Sequence, residues 1–249
     1  MKRIDLNNPI PYYIQVKESI RQAIEASEWK PGDQIPGEPT LCSIFGVSRT
    51  VIRQALGELE HEALINKRRG KGTFVAEPKI VENLVQKLTG FYEDMSDRGH
   101  PPVSLILKQL VKPAGSEEAS FLQIEPGTPV IEIERLRFVE DLPLVLVTTY
   151  IPYLFCSDLL KTDLSHQSLY SVLERQFGLT IARGHRTIES VAANKYEAEL
   201  LQIDVGAPLM LLDSISFLTD GTPIEYYHAL HRGDRSRFEV ELIRVRERS

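Results

Sequence analysis

Residues 35–75, IPGEPTLCSIFGVSRTVIRQALGELEHEALINKRRGKGTFV, constrain this chain more than any other stretch. The spacing predicts a short helix over 39–45, a tight turn at Gly46-Val47-Ser48, and a longer helix from Arg49 to about His61 with Ser48 as its N-cap. Ile52, Ala55, Leu56 and Leu59 fall at i, i+3, i+4 and i+7, so one face of that helix is buried. The face left over opens with Arg49, Thr50 and Arg53, donors at the N-terminal end of a helix, where a recognition helix meets bases and phosphates. After the helix the period changes. Two short strand-like runs, 64–66 and 73–75, flank Lys67-Arg68-Arg69-Gly70-Lys71-Gly72. The glycines permit a tight hairpin that can approach another molecule closely. A helix-turn-helix followed by a basic hairpin is a winged helix-turn-helix, and its natural ligand is duplex DNA.

Net charge first argues the other way: the chain carries −6. Between residues 49 and 71, however, Arg49, Arg53, Lys67, Arg68, Arg69 and Lys71 stand against only Glu58, Glu60 and Glu62, which lie toward the far end of the helix. Local field, not total charge, governs contact with phosphate.

These residues resemble the DNA-binding domain of the GntR family of bacterial transcription regulators. The marks are Pro36 and Glu38 at the second helix, Val47-Ser48-Arg49, Arg53-Gln54-Ala55-Leu56, Leu59, and Gly70-Lys71-Gly72-Thr73-Phe74-Val75. Gly37, Val51, Ala63 and Arg69 depart from the usual pattern, where Ser, Thr, Gly and Gln are common. The resemblance implies that DNA contacts fall to Glu38, Ser48, Arg49, Thr50, Arg53, Gln54, Arg69, Lys71 and Gly72.

At 249 residues the chain is expected to hold two domains. A hydrophobic fraction of 42% and a charged fraction of 26% describe an ordinary globular protein without a membrane span or secretion signal, so a cytoplasmic location is expected. Cys42 and Cys156 are far apart, in no metal-ligand spacing, and suit a reducing compartment; no metal or cofactor is expected. Residues 1–11 read as a loosely held arm and 12–28 as the first helix, with Trp29 as a core anchor. The expected domains are 1–76, a linker at 77–89, and 90–249. Further on, 104–111 reads as strand, 116–122 as helix with Ser116 as its cap, 168–177 as amphipathic helix, 179–192 as strand and 238–245 as a closing strand.

An internal repeat organises this second half. LQIEPGTP at 122–129 is echoed by LQIDVGAP at 201–208. Each copy follows a short helix and runs into a strand, a turn and a returning strand. Arg135 and Arg137 lie two apart on one strand, facing the same way as Ile131 and Ile133, with Glu132 and Glu134 opposite. Two guanidiniums on one face can fork a phosphate or carboxylate, or simply pair with surface acids. Ser214 and Ser216 hold the equivalent places in the second copy, which suggests one site. His228 and His231, three apart on a strand, face opposite sides and are poorly placed to share a metal.

Residues of about 87–246 resemble the UTRA effector-binding domain of the HutC branch of the GntR family. That likeness implies an α+β architecture overall: an N-terminal winged helix-turn-helix, then an antiparallel sheet with flanking helices, similar to chorismate lyase. It also implies an effector site of Phe91, Arg135, Arg137, Ser168, Tyr170, Glu225 and His231, with Val147 where sugar-phosphate-responsive members often carry Glu. The expected function is a metabolite-responsive transcription regulator, most simply a repressor. Its expected partners are a double-stranded inverted-repeat operator, a second copy of itself in a homodimer, and a small anionic metabolite (a sugar phosphate or carboxylate), with no membrane. Two alternatives remain at this point: a lyase-like enzyme using the C-terminal domain, and an architectural DNA-binding protein without a ligand.

Overall fold

In the computed structural model, residues 4–5, 8–68, 70–83, 88 and 90–242 are described. The chain divides into two compact units, Met1–Pro78 and Lys79–Ser249.

The first unit runs α1 (Tyr12–Glu25), β1 (Gln34–Ile35), α2 (Glu38–Phe45), α3 (Arg49–His61), β2 (Ile65–Arg68) and β3 (Gly72–Val75). Its three strands pair in the order β1-β3-β2, all antiparallel. The stripe on α3 is buried as its spacing requires: Ile52, Ala55, Leu56 and Leu59 join Val16 and Ile20 of α1, Leu41 and Phe45 of α2, and Ile65 and Val75 of the hairpin. Trp29 packs on the rim of this cluster. Two details correct the sequence reading. The first helix stops at Glu25, not Glu28, because Ser27 turns to φ 58°. The N-terminal arm is tied down where it is described: Gln15 Nε2 donates to the carbonyls of Asp5 and Ile10, and Ile4 packs on the core.

The second unit continues with β4 (Ile80–Glu82), α4 (Phe91–Asp97), β5 (Val103–Pro113), α5 (Ser116–Leu122), β6 (Pro129–Val139), β7 (Leu142–Pro152), α6 (Leu169–Phe177), β8 (Ile181–Ala192), α7 (Lys195–Leu201), β9 (Pro208–Leu218), β10 (Pro223–Arg232) and β11 (Ser236–Phe238). The six long strands form one antiparallel sheet ordered β5-β6-β7-β10-β9-β8. That order is symmetric about the β7/β10 junction, so the two repeat copies lie side by side. Each copy opens on a short helix ended by a residue in the left-handed region, Gln123 at φ 53° and Gln202 at φ 54°. Asn194 forms a full capping box with Glu197 at the start of α7. The cap of α5 is Gly115, one residue before the expected Ser116.

Within the stretch expected as linker, residues 80–82 are strand. β4 pairs in parallel with β11, and Lys79 Nζ donates to the carbonyl of Gly233 at 2.7 Å. Residues 84–87 and 89 of that stretch lie outside the described residues. The closing strand is also shorter and earlier than expected: β11 spans Ser236–Phe238, residues 239–242 are not strand, and the remainder of 238–245 lies outside the described residues.

One sequence departure has a structural cost. α3 ends with Leu64 N–H donating to the Leu59 carbonyl and Ala63 N–H to the Glu60 carbonyl, the paired bonds of a Schellman cap. Ala63 sits in it at φ 57°, where its Cβ crowds the following carbonyl. Ala63→Gly is therefore expected to stabilise the first unit by about 1 kcal/mol. Urea denaturation followed at Trp29, the chain's single tryptophan, reads this directly; an unchanged or lowered midpoint contradicts it.

Candidate functional site

In the first unit the exposed end of α3 carries the expected donors. Arg49, Thr50, Arg53 and Gln54 are all exposed, and Ser48 holds the N-cap backbone position without a side-chain cap hydrogen bond. Glu38 and Arg53 are joined: Arg53 Nε donates to Glu38 Oε1 at 3.2 Å while the arginine side chain stays 74% exposed. Glu38 thus aims Arg53 outward and presents no lone negative charge to a phosphate.

The wing is held by a residue that sequence reasoning passed over. Gln34 Nε2 donates to the Lys71 carbonyl at 3.0 Å, and a Cβ at Gly72 would meet that same nitrogen at 2.5 Å, with φ at +121°. The φ of Gly72, rarely adopted by L side chains, is what requires glycine there, since the Gln34 amide is a flexible tip that could move aside. Arg68 lies over the Phe74 ring, 4.8 Å from its centroid. Arg69 lies outside the described residues. Lys67 pairs with Glu60 at 2.6 Å, which leaves Lys71 as the cation nearest the hairpin tip among those described.

The second unit contains a pocket on one face of the sheet, walled by α4, α6 and strands β6, β8 and β10. Its lining is Gly90, Phe91, Tyr92, Arg135, Arg137, Ser168, Leu169, Tyr170, Arg186, Glu225 and Tyr227. Six of the seven residues expected there are brought together: Phe91, Arg135, Arg137, Ser168, Tyr170 and Glu225. The alternation on β6 decides which. Ile131 and Ile133 go into the core beneath α6, and Arg135 and Arg137 continue that face into the pocket. Glu132 and Glu134 point to the other side, where Lys108 and Lys112 pair with them.

Those lysines take up the nearby acids, so the arginines do not simply join a surface network. Arg135 is 1% exposed and Arg137 6%. Arg135 Nη2 donates to Thr149 Oγ1 at 3.3 Å, and Arg137 lies over the Phe91 ring at 5.1 Å. Among the described residues neither reaches a carboxylate, and Arg135 Nε and Arg137 Nη1 have no hydrogen-bond partner. Burial, reinforced by the charge of Arg137, pushes Arg135 down to about 9; burial also lowers Arg137. Glu225, the one carboxylate in the lining, is committed elsewhere. Its Oε2 accepts from Tyr170 Oη at 2.8 Å and from Ser216 Oγ at 2.9 Å. Burial, then the charge of Glu225, raises Tyr170 well above the ordinary tyrosine range.

Ser168 contributes twice. Its Oγ caps α6 by accepting from Ser171 N–H at 3.2 Å, and it turns the amide end of that helix toward the two guanidiniums. A helix N-terminus beside two unpaired arginines favours an anion.

His231 stands apart from the other six. It is fully buried behind Phe91, edge-on to that ring at 6.3 Å, and its Nδ1 lies 2.9 Å from Glu82 on β4. The two histidines do face opposite sides of β10, since His228 pairs with Asp213 at 2.7 Å on the far face. Arg186, Tyr227 and Tyr92 are lining residues that sequence reasoning missed. Arg186 falls on a strand whose pattern is almost wholly exposed, so nothing in its spacing marks it as inward. Val147 lies opposite Arg135 in the β6/β7 register and is fully buried in the core cluster beside Phe91, not in the pocket lining.

Comparison with known proteins bears on both units. Residues 12–75 match the family described as bacterial regulatory proteins, gntR family, and residues 97–237 match the UTRA domain. The chain is 34% identical to the HTH-type transcriptional repressor NagR of Bacillus subtilis, over 94% of this chain and 96% of that protein. It is 31% identical to the histidine utilization repressor of Pseudomonas putida, over 93% and 92%. Among solved structures, PhnF from Mycobacterium smegmatis superposes with a TM-score of 0.64 at 28% identity, covering 92% of this chain and 99% of that one.

A buried, uncompensated guanidinium opposes folding. Arg135→Met, close in volume and apolar, is expected to leave the ligand-free second unit as stable as before or up to about 4 kcal/mol more stable. Chemical denaturation followed by far-UV circular dichroism checks this. A marked loss of stability would mean that the charge is already balanced in the folded chain.

Proposed function

This chain belongs to the GntR family of bacterial transcription regulators, in the HutC branch that carries a UTRA effector domain, and we propose that it grips an inverted-repeat operator as a homodimer and that a small anionic, phosphorylated metabolite changes that grip. It is a DNA-binding regulator of the repressor type, not an enzyme. The observation that carries the effector reading is the pair Arg135 and Arg137, buried on one sheet face without a carboxylate in reach among the described residues.

Arg49 and Arg53 contact bases or phosphates at the start of α3, with Ser48, Thr50 and Gln54 beside them, and Glu38 orients Arg53. Lys71 and Gly72, with Arg69 beside them in sequence, reach the minor groove or run along it. An inverted repeat presents two half-sites related by a two-fold axis, so two copies of the head must bind, about 34 Å apart or a near variant of that. The protein works in the cytoplasm, where its operator is.

In the pocket, Arg135, Arg137, Ser168 and the α6 amides hold the anion. Tyr170 and Glu225 address hydroxyl groups of the ligand, and Phe91 covers it. Val147 in place of a Glu leaves one polar partner fewer, which favours a ligand less densely hydroxylated than an amino sugar. Effector binding then shifts the population between DNA-competent and DNA-incompetent dimers, by no more than its differential affinity for the two.

Two measurements test these readings. In a mobility-shift titration on the protein's own upstream DNA, the triple variant Arg49→Ala/Arg53→Ala/Lys71→Ala should bind weakly, with the log–log salt slope reduced by about 0.9 for each phosphate that is no longer neutralised. Retained affinity refutes the assignment of the reading head. In calorimetry against a panel of phosphorylated and carboxylated metabolites, Arg135→Ala/Arg137→Ala should abolish the heat of the binding member. Equal binding by that double variant refutes the clamp.

A further inference from the structure

We infer that the Tyr227 hydroxyl is a further ligand-binding group of this pocket: it donates to the same anion as Arg135 and Arg137, and it selects a phosphate ester over a carboxylate. The inference rests on the reading of the pocket as an anion-effector site.

Nothing in the packing of Tyr227 needs its hydroxyl. Glu225, Tyr227, Ala229 and His231 alternate onto one face of β10. The Tyr227 ring packs with Phe91, Val145, Val147, Leu212 and Ala229, and the Arg186 guanidinium lies over it, 5.6 Å from its centroid. A phenylalanine ring would serve all of these contacts. The residue is only 7% exposed and lines the pocket, yet its hydroxyl has no hydrogen-bond partner among the described residues. The Tyr170 hydroxyl, in the same lining, is taken by Glu225 at 2.8 Å. A buried hydroxyl without a partner costs free energy that a bound acceptor returns. Burial holds Tyr227 above its ordinary range, with the charge of Arg137 the largest pull against it, so the group is a proton donor at neutral pH.

Two more unpartnered donors stand beside it. Arg135 Nε and Arg137 Nη1 also lack hydrogen-bond partners among the described residues. The register brings the three groups together. Thr149 on β7 pairs with Tyr227 on β10, and Arg135 Nη2 donates to the hydroxyl of that Thr149. The Arg135 guanidinium thus ends over β7, one strand spacing of about 4.8 Å from β10. Arg137 lies over the Phe91 ring, which shares a packed cluster with Tyr227.

This arrangement suits phosphate. A carboxylate has two coplanar oxygens, and the forks of two arginines suffice to fill them. A phosphate ester has three terminal oxygens set tetrahedrally, and its charge of nearly −2 at neutral pH matches two guanidiniums. The third oxygen needs a donor from another side. Arg135 and Arg137 come from β6, and Tyr227 comes from β10, two places away in the sheet order. Its hydroxyl supplies that donor.

The test uses the full-length protein and two matched pairs of probes, each with a phosphate ester in one member and a carboxylate in its place in the other: glucose 6-phosphate with glucuronate, and glycerol 3-phosphate with glycerate. Calorimetry gives the affinity ratio within each pair. In at least one pair the phosphate member should bind about tenfold or more tighter, the worth of one charge-assisted contact. Tyr227→Phe should weaken the phosphate member about tenfold and leave the carboxylate member within about twofold, so that the ratio collapses. Without ligand, chemical denaturation should find this variant at least as stable as the unaltered protein. Ratios near one in both pairs overturn the inference, as does a tenfold ratio that survives Tyr227→Phe. An equal loss for both members together with a loss of stability also overturns it, since the hydroxyl would then serve the fold. If Tyr227→Phe does not fold, the ratio in the unaltered protein decides alone. Binding of all four probes without discrimination leaves the anion pocket standing and removes only the role of Tyr227. Failure of all four to bind strikes the pocket reading itself.

Discussion

Moving a guanidinium out of water costs several kcal/mol unless a counter-charge goes with it. The second unit buries two of them, Arg135 and Arg137, on one strand face within reach of one another's field. A scaffold with structural aims alone has cheaper residues for those positions; the neighbouring Ile131 and Ile133 show what they look like. Keeping the arginines means accepting instability, which the proposed anionic effector would relieve. The surrounding polar groups fit that account. Glu225, the carboxylate in the pocket lining, is held by Tyr170 and Ser216 and forms no ion pair with either arginine among the described residues.

The first unit solves the opposite problem. It must present cations to a polyanion while the chain as a whole carries −6. Spatial separation does this. Glu62 is paired with Lys17 and Arg21, and Glu60 with Lys67, away from the first turn of α3. Glu38, the acid that stands near the reading surface, is bonded to Arg53 and supports it. Screening over about 8–10 Å at ordinary ionic strength then makes the remote acidic surplus of little account to a phosphate at the helix end.

Much of this was legible in the chain of letters, for reasons that differ by element. α3 was legible because four apolar side chains at helical spacing admit one buried face and Ser48 marks its start. The paired hairpins followed from the duplicated LQIxxGxP run, and the face that Arg135 and Arg137 share with Ile131 and Ile133 from the two-residue period of a strand, while their place in a pocket came from the family resemblance. What escaped reading depends on partners remote in sequence. Glu82 looked like linker because its partner His231 lies 149 residues away. Arg186 sits on a strand without an alternating pattern, and only the β8/β9 register turns it toward Tyr227. Gln34 carries no motif and acquires its role from the carbonyl of Lys71, in the turn that leads into β3 beside it.

The burial of Glu82 with His231 also ties β4 to the residues behind the pocket within the second unit. Phe91 touches the pocket through Arg137 on one side and His231 on the other. It shares a packed cluster with Val145, Val147, Tyr227 and Ala229, against which Ile80 and Phe238 also lie. Phe91 therefore stands between Arg137 and His231, and His231 in turn meets β4 through Glu82. That strand begins two residues beyond Pro78, where the second unit starts. The earliest strand of the effector unit thus packs, through Glu82 and His231, behind the Phe91 ring that lines the pocket.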